Sequence, residues 1–429
     1  MNNEIRNESQ ALPESIRCVG ADDLTLSLFE NQYPVQPMGV SYNSYLILDE
    51  KIAVMDSVDA RAADEWLAKL AHELDGRSPD YLVISHMEPD HSGSILRLAE
   101  KYQEMKLVGN TKTFTMLRQF FGAKAPTDDR LLEVGEGGTL SLGTHTLHFM
   151  LAPMVHWPEV MVAYEETEKI LFSADAFGRF GALSRTAGAP WAPQARRYYY
   201  NIVGKYGAQV QALLKKAAAL EIETICPLHG PVLTGEALGE ALRLYDLWSR
   251  WQSESPDDIL LAHASIHGNT ARAAELLKQK LEAKGARVTL CDLTTTEVSY
   301  AVANAFCCGK LVLACSTYDG GLFPPMEEFL SHLQAKGFRD RSVGLMENGS
   351  WAPTAAGLMR AEFQKLKNCT ILDETVSIKS TLKESQLADV DAMAQAIYDS
   401  MPKPAPAVHT ADAPVEKNAF FSFSYGLFV

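Results

Sequence analysis

In the first half of the chain, apolar positions come in short runs broken by turn residues. SYNSYLIL (41–48) and KIAVMDS (51–57) flank Asp49-Glu50 and predict a hairpin. A helix-period stretch at 61–74 leads into YLVIS (81–85), a buried strand that ends at a histidine. Further β segments are expected near 106–109, 139–149 and 160–172, then a helix near 205–220 and a strand at 222–226. Strands crowd early and helices separate them later, which is the pattern of a layered α+β sandwich.

QSESPDD (252–258) is a polar, proline-containing break, and the rhythm changes beyond it. Strands are predicted at 258–265, 287–293, 310–316, 342–348 and near 370–378, with helices at 269–284, 297–305, near 325–336, near 354–366 and at 386–399. Strands and helices alternating in this way describe a doubly wound parallel sheet. The expected domains are 1–254, 255–400 and a terminal piece, 401–429. That last piece joins a Pro/Ala spacer, extended by composition, to an aromatic tip (Phe420, Phe421, Phe423, Tyr425, Phe428) expected to pack on its own chain or a twin subunit, with a docking signal for a separate partner as the alternative.

With 429 residues the chain exceeds one ordinary core, in keeping with two or more domains. A formal charge of −15 argues against nucleic acid or an anionic membrane as partner, since both require a basic face. Seven cysteines show no Cys-x-x-Cys pair, so zinc ribbons, rubredoxin-type sites and iron–sulfur runs lack support, and an odd, unpatterned set fits a reducing compartment. The N-terminus, MNNEIRNESQALPESIR, has no apolar core of a signal peptide, and no stretch is long enough to span a bilayer. The cytoplasm is the expected location.

The strand at 81–85 is followed by His86-Met87-Glu88-Pro89-Asp90-His91, four potential metal ligands in six residues with a proline stiffening the loop. His156 in APMVHWPE (152–159), Asp175 in LFSADAFG (171–178) and His229 in CPLHGP (226–231) sit on comparable strand-end loops. In the second half, Ser265-Ile266-His267-Gly268-Asn269-Thr270 joins a strand to a helix. Short polar side chains and one glycine there form a phosphate cradle of backbone N–H groups at a helix N-terminus. Two more strand-end loops, Ser316-Thr317-Tyr318-Asp319-Gly320-Gly321-Leu322-Phe323 and Asn348-Gly349-Ser350-Trp351-Ala352, supply glycines for close approach and the aromatics Tyr318 and Trp351 to flank a flat ring. The absence of a G-x-G-x-x-G fingerprint makes a dinucleotide a poorer fit, and these loops resemble those of flavodoxin, a resemblance that implies FMN as the cofactor.

The first ligand run resembles that of the metallo-β-lactamase fold, usually His-x-His-x-Asp-His, with Glu88 in place of the second histidine. The added carboxylate makes an oxygen-rich set better suited to paired iron than to zinc. Together with a second half that resembles flavodoxin, this looks like the flavodiiron proteins, also called A-type flavoproteins, over about residues 35–400. The resemblance implies an αββα sandwich followed by a five-stranded parallel sheet. It also implies that His86, Glu88, His156 and Asp175 hold one iron and Asp90, His91 and His229 the other, with Asp175 bridging. The counterpart of His91 does not coordinate metal in every member. Trp157, Phe177 and the tyrosines of RRYYYNIVG (196–204) are candidates for the pocket roof, with Tyr199 and Tyr200 as candidate catalytic residues.

A histidine that the family often carries upstream of its Tyr-Asn pair, here Tyr42-Asn43, is absent from FENQYPVQPMGVSYN (29–43). The implied activity is reduction of dioxygen to water and of nitric oxide to nitrous oxide. Electrons would come through FMN from an external donor such as rubredoxin, in a head-to-tail homodimer or a tetramer. A dinuclear zinc hydrolase and a non-catalytic FMN electron carrier are the rival readings.

Overall fold

The computed structural model describes residues 12–400. The extreme N-terminus and the expected Pro/Ala spacer and aromatic tip (401–429) lie outside the described residues.

Two six-stranded sheets face each other in the first half. One runs in the order Ile16–Cys18, Tyr45–Ile47, Ala53–Met55, Tyr81–Val83, Lys106–Gly109, Leu131–Glu133; the other runs Thr139–Ser141, Thr146–Leu151, Met161–Glu165, Ile170–Phe172, Thr224–Cys226, Leu233–Thr234. The period of two along each strand separates two cores. Tyr45, Ile47, Met55 and Val83 meet Leu147, Phe149, Met161 and Phe172 between the sheets. Val54, Leu82 and Leu107 face outward onto helices Ala63–Leu74 and Thr111–Phe121, while Val162, Leu171 and Ile225 face Gly207–Ala217 and Gly235–Ser249. The result is an αββα sandwich.

The third sheet holds the strands Val288–Asp292, Ser255–Ala264, Cys308–Tyr318, Ser342–Asn348 and Thr370–Ile378 in that spatial order, all parallel. Helices Asn269–Glu282 and Leu387–Asp399 cover one face; Val298–Cys307, Pro324–Ala335 and Ala355–Gln364 cover the other. This is the flavodoxin-like order. Its topological switch point lies between Ser255–Ala264 and Cys308–Tyr318, where ligands of such sheets bind.

Several elements differ from expectation. The run 41–48 is not one strand. Val40–Tyr42 pairs with Ala21–Asp23, and Tyr45–Ile47 pairs with Ile16–Cys18 and Ala53–Met55. The break falls at Asn43, whose Nδ2 donates to Pro227 O (2.8 Å) and Gly230 O (2.7 Å) and so ties this corner to the loop carrying His229. The segment 139–149 divides into Thr139–Ser141 and Thr146–Leu151 around Gly143, whose φ of 128° supplies the turn. Likewise 160–172 divides into Met161–Glu165 and Ile170–Phe172. Helices Thr111–Phe121, Trp191–Tyr198 and Gly235–Ser249 are additional to those predicted.

Candidate functional site

Four loops meet at one edge of the sandwich, each leaving the carboxyl end of a strand: Tyr81–Val83 before His86, Thr146–Leu151 before His156, Ile170–Phe172 before Asp175, and Thr224–Cys226 before His229. In the first loop Pro89 opens the short helix Pro89–Ser92 with Glu88 as its N-cap residue. Glu88 therefore stays outside the helical turn while Asp90 and His91 enter it, and one six-residue run supplies side chains in two directions. The turn at Asp175 is closed by Ser173 Oγ donating to Ala176 O (2.7 Å).

The side chains converge in two groups. His86 Nε2 lies 3.2 Å from Glu88 Oε2 and 3.3 Å from Asp175 Oδ2, and His156 Nε2 lies 3.1 Å from each of the same two oxygens. In the second group, His91 Nε2 is 3.3 Å from Asp90 Oδ2 and 3.1 Å from His229 Nε2, and His229 Nε2 is 3.2 Å from Asp90 Oδ2. Asp175 faces both: its Oδ2 belongs to the first group and its Oδ1 lies 3.2 Å from His91 Nε2 and 3.6 Å from His229 Nε2. Two atoms bound about 2.1 Å from one ion stand roughly 3.0–3.4 Å apart at angles between square and tetrahedral. Nearly all these spacings fall in that range, so the donors fit two cations sharing one carboxylate.

The electrostatics agree. Burial alone would push His86, His91 and His156 toward the neutral form, yet the carboxylates around them outweigh it and raise all three, His156 to about 9. Burial likewise opposes ionisation of Glu88 and Asp175, but the imidazoles hold Glu88 down to about 2 and Asp175 well below the usual carboxylate range. Three carboxylates packed this closely make a field that stabilises positive charge.

The outer nitrogens of two imidazoles are also held. His86 Nδ1 lies 2.7 Å from Glu159 Oε1, which also accepts from Met87 N (2.9 Å), and His229 Nδ1 lies 2.7 Å from Ser41 O. Asn110 Nδ2 donates to Glu159 O (2.6 Å) and fixes that residue in turn. Such partners set the tautomer that leaves Nε2 free for a metal. The sequence motifs single out neither Glu159 nor Ser41. The only signal for Glu159 is an acid three places after His156 in a loop whose other polar residue is a ligand candidate.

A cavity of about 1100 Å³ opens onto Glu88, Asp90 and His156, walled by Phe29, Glu30, Tyr33, Trp157, Ile202 and Lys336 among others. Trp157 lines it as expected. Phe177 does not: its ring lies 4.2 Å from that of Tyr245 in the core. The tyrosine run also corrects the expectation. Tyr198 is the one beside the cluster, its ring 5.5 Å from His229 and 5.2 Å from Phe180. Tyr199 and Tyr200, expected to be catalytic, turn away: Tyr199 packs on Tyr245 and Trp248, and Tyr200 stacks on Phe306 at 4.1 Å. Tyr198 ends the α-helix Trp191–Tyr198 and Tyr199–Val203 continue as a π-helical turn, so three neighbouring rings point in different directions and only one faces the site.

In the other half, the loops Ser265–Thr270, Ser316–Phe323 and Asn348–Ala352 gather at the switch point. Gly268 adopts φ 81° and donates its N–H to Ser265 Oγ (3.0 Å), and the helix Asn269–Glu282 behind it has no side-chain cap. Its first N–H groups are therefore available to an anion. Thr270 Oγ1 and Ser316 Oγ bridge two of the loops (2.8 Å), and Thr317 Oγ1 accepts from Thr354 N (3.0 Å). Ser350 Oγ accepts from Ser380 Oγ (3.0 Å), and Asn348 Nδ2 donates to Ser380 O (3.1 Å). Ile266, Tyr318 and Trp351 are exposed, Trp351 at 89%. Apolar aromatic surface left this open beside a phosphate-type cradle fits a flat cofactor. None of these loops lines the metal-facing cavity.

Comparison with known proteins places these features together. Residues 40–230 match the family described as ODP family beta lactamase. The chain is 27% identical to the rubredoxin-oxygen oxidoreductase of Megalodesulfovibrio gigas over 90% of its own length and 96% of that protein. It is also 27% identical to the nitric oxide reductase of Moorella thermoacetica, over 75% of its length and 81% of the relative. The crystal structure of the flavodiiron protein from Giardia intestinalis superimposes with a TM-score of 0.83 at 26% identity, covering 90% of this chain and 95% of that one.

Proposed function

The chain belongs to the flavodiiron proteins, and on that premise we propose that it is an oxidoreductase reducing dioxygen to water, with reduction of nitric oxide to nitrous oxide as a competing activity. In this reading His86, Glu88, His156 and Asp175 would hold one iron and Asp90, His91 and His229 the other, with Asp175 able to serve both. The single observation that carries it is the division of the Asp175 carboxylate, one oxygen turned to each donor group. Three carboxylates against four imidazoles make a harder donor set than zinc hydrolases favour.

FMN would lie on Ser265–Thr270 with its phosphate at the N-terminus of helix Asn269–Glu282 and its ring between Tyr318 and Trp351. Two irons and reduced FMN, when bound, supply together the four electrons that turn dioxygen into two waters, or the two that couple a pair of nitric oxide molecules. The chain's own residues do the rest. Glu159 and Ser41 orient imidazoles, Trp157 and Tyr198 present apolar ring faces that keep bulk water from the metals, and the cavity admits a small neutral gas.

We divide the chain into a metal domain (1–254) and a flavin domain (255–400), a boundary supported by the third sheet beginning at Ser255. Electrons are proposed to enter from a small external redox protein such as rubredoxin, as the name of the M. gigas relative suggests. The flavin loops are absent from the lining of the metal cavity, which favours a head-to-tail homodimer in which one copy's flavin serves the other's metals. Among the described residues no helix is long and apolar enough to cross a membrane. The free thiols of Cys291, Cys307, Cys308, Cys315 and Cys369 favour a reducing, cytoplasmic setting.

The test is metal and flavin analysis of the purified protein, followed by anaerobic reduction and stopped-flow mixing with each gas. Two irons and one FMN per chain, with rapid reoxidation by dioxygen, are expected. Stoichiometric zinc with hydrolytic turnover would overturn the reading.

A further inference from the structure

The loop that would hold the flavin phosphate carries no fixed cation of its own. From Ala262 to Ala271 there is neither lysine nor arginine, so the loop itself offers an anion only backbone N–H groups and hydroxyls. The next residue is Arg272, near the start of helix Asn269–Glu282. Its backbone N–H donates to Gly268 O (2.9 Å) and closes the first helical bond. The side chain folds back toward the helix N-terminus, where Nη2 donates to Asn269 Oδ1. Nη1 then stands over Gly268. A β-carbon built on that glycine would lie 3.8 Å from Nη1 and within 4 Å of no other atom beyond its chain neighbours. The space above Gly268 is open, and a guanidinium borders it.

That placement is electrostatically poor by itself. A helix N-terminus already carries partial positive charge, and this one has no side-chain cap. A cation turned toward it adds to that charge. Farther along the same helix the cations are neutralised: Lys278 Nζ lies 3.0 Å from Glu282 Oε2, and Lys280 pairs with Asp391. Among the described residues no carboxylate pairs with Arg272, although acidic residues outnumber basic ones, 54 to 39, in the chain. Two positive features thus converge on one open space, and an anion placed there answers both.

Resting on the flavin reading above, we propose that Arg272 is a phosphate-binding residue of the FMN site and makes that site selective for FMN over riboflavin. The edge of the guanidinium left free by Asn269 supplies charge-assisted N–H donors to a phosphate dianion. The bond to Asn269 holds the side chain in place beforehand, so little of its freedom is lost when the anion arrives. A lysine here would keep the charge and lose the planar fork.

The experiment uses the full chain stripped of flavin, with iron retained, and titrates FMN and riboflavin separately by quenching of flavin fluorescence. R272Q should weaken FMN binding about tenfold and leave riboflavin unchanged, because only the phosphate meets the guanidinium. R272K should fall between the two proteins. Added salt should weaken FMN binding more steeply in the parent than in R272Q, since screening acts on a charge that the variant lacks. Arg272 is exposed, so iron content and circular dichroism should not change. Equal FMN-to-riboflavin affinity ratios in parent and R272Q, or an equal loss of both flavins, would overturn the role of Arg272 alone. A parent that binds FMN no more tightly than riboflavin, or binds neither, overturns the phosphate-loop reading and this proposal with it.

Discussion

Glu159 touches no metal donor atom except through His86, yet it decides which nitrogen of that ring carries the proton. Its Oε1 sits 2.7 Å from His86 Nδ1, and it is itself fully buried. Glu159→Ala should therefore lower iron affinity by about ten- to a hundredfold, while Glu159→Gln, which keeps an acceptor, should lose much less. Chelator competition would read both, and equal affinity in all three proteins would refute the role. Asp23 shows the same dependence on partners in a setting that titrates. Burial opposes its charge, but bonds from Arg61 (2.7 Å), Thr25 N, Thr25 Oγ1 and Leu26 N hold its pKa below the usual carboxylate value. A group depressed in the folded state stabilises above its unfolded value and ceases to do so as pH falls through the folded one. Asp23→Ala should cost about 1–3 kcal/mol in urea unfolding at pH 7, shrinking below pH of about 4. At this scale the sequence was readable where a residue type is dictated by chemistry: the seven candidate ligands fall in two adjoining groups. It was silent on Glu159, because a carboxylate that backs a histidine has no local pattern. The tyrosine run failed for a related reason, since which of three identical neighbours faces inward depends on the phase of a helix whose bounds were not known.

Elements were legible in proportion to how far their own residues determine them. The central parallel strand Ser342–Asn348 is buried on both faces, and both it and the half-exposed edge strand Thr370–Ile378 have the predicted bounds. The strand at 41–48 misled because Asn43 breaks it by bonding to residues nearly two hundred positions away. Helix Gly235–Ser249 hid behind two glycines, and only packing of Leu244, Tyr245 and Trp248 in the core explains its stability. The phosphate loop lies between these cases: its glycine was visible, and its backbone state is now known. At φ 81° a side chain costs about 1–2 kcal/mol and also stands where a phosphate must approach. Gly268→Val should thus weaken FMN binding at least tenfold without removing iron, as followed by quenching of flavin fluorescence. Unchanged flavin affinity would mean that the loop is not the phosphate site.

Across the whole molecule, the two halves are joined by buried side-chain contacts near the metal cavity. The buried Arg197 of the first half donates to Ser299 Oγ (2.7 Å) and Tyr300 Oη (3.1 Å) of the second, and Tyr200 stacks on Phe306. Such a join leaves little freedom for one chain's flavin loops to swing onto its own metals, so transfer between copies becomes the economical route. Subunit mixing separates the two possibilities. Asp175→Ala should remove the metal pair and leave the flavin. Asn269→Glu should do the reverse, since a carboxylate in the first turn suits the helix dipole but repels a phosphate. Each homodimer should be inactive. After dissociation and reassociation together, every mixed dimer pairs the intact metals of one copy with the intact flavin of the other, giving one working centre out of two. Recovered activity should then approach a quarter of the parent's, since random pairing makes about half the dimers mixed and each mixed dimer works at half strength. Transfer within one chain predicts no recovery at any mixing ratio, because no single copy would hold both cofactors.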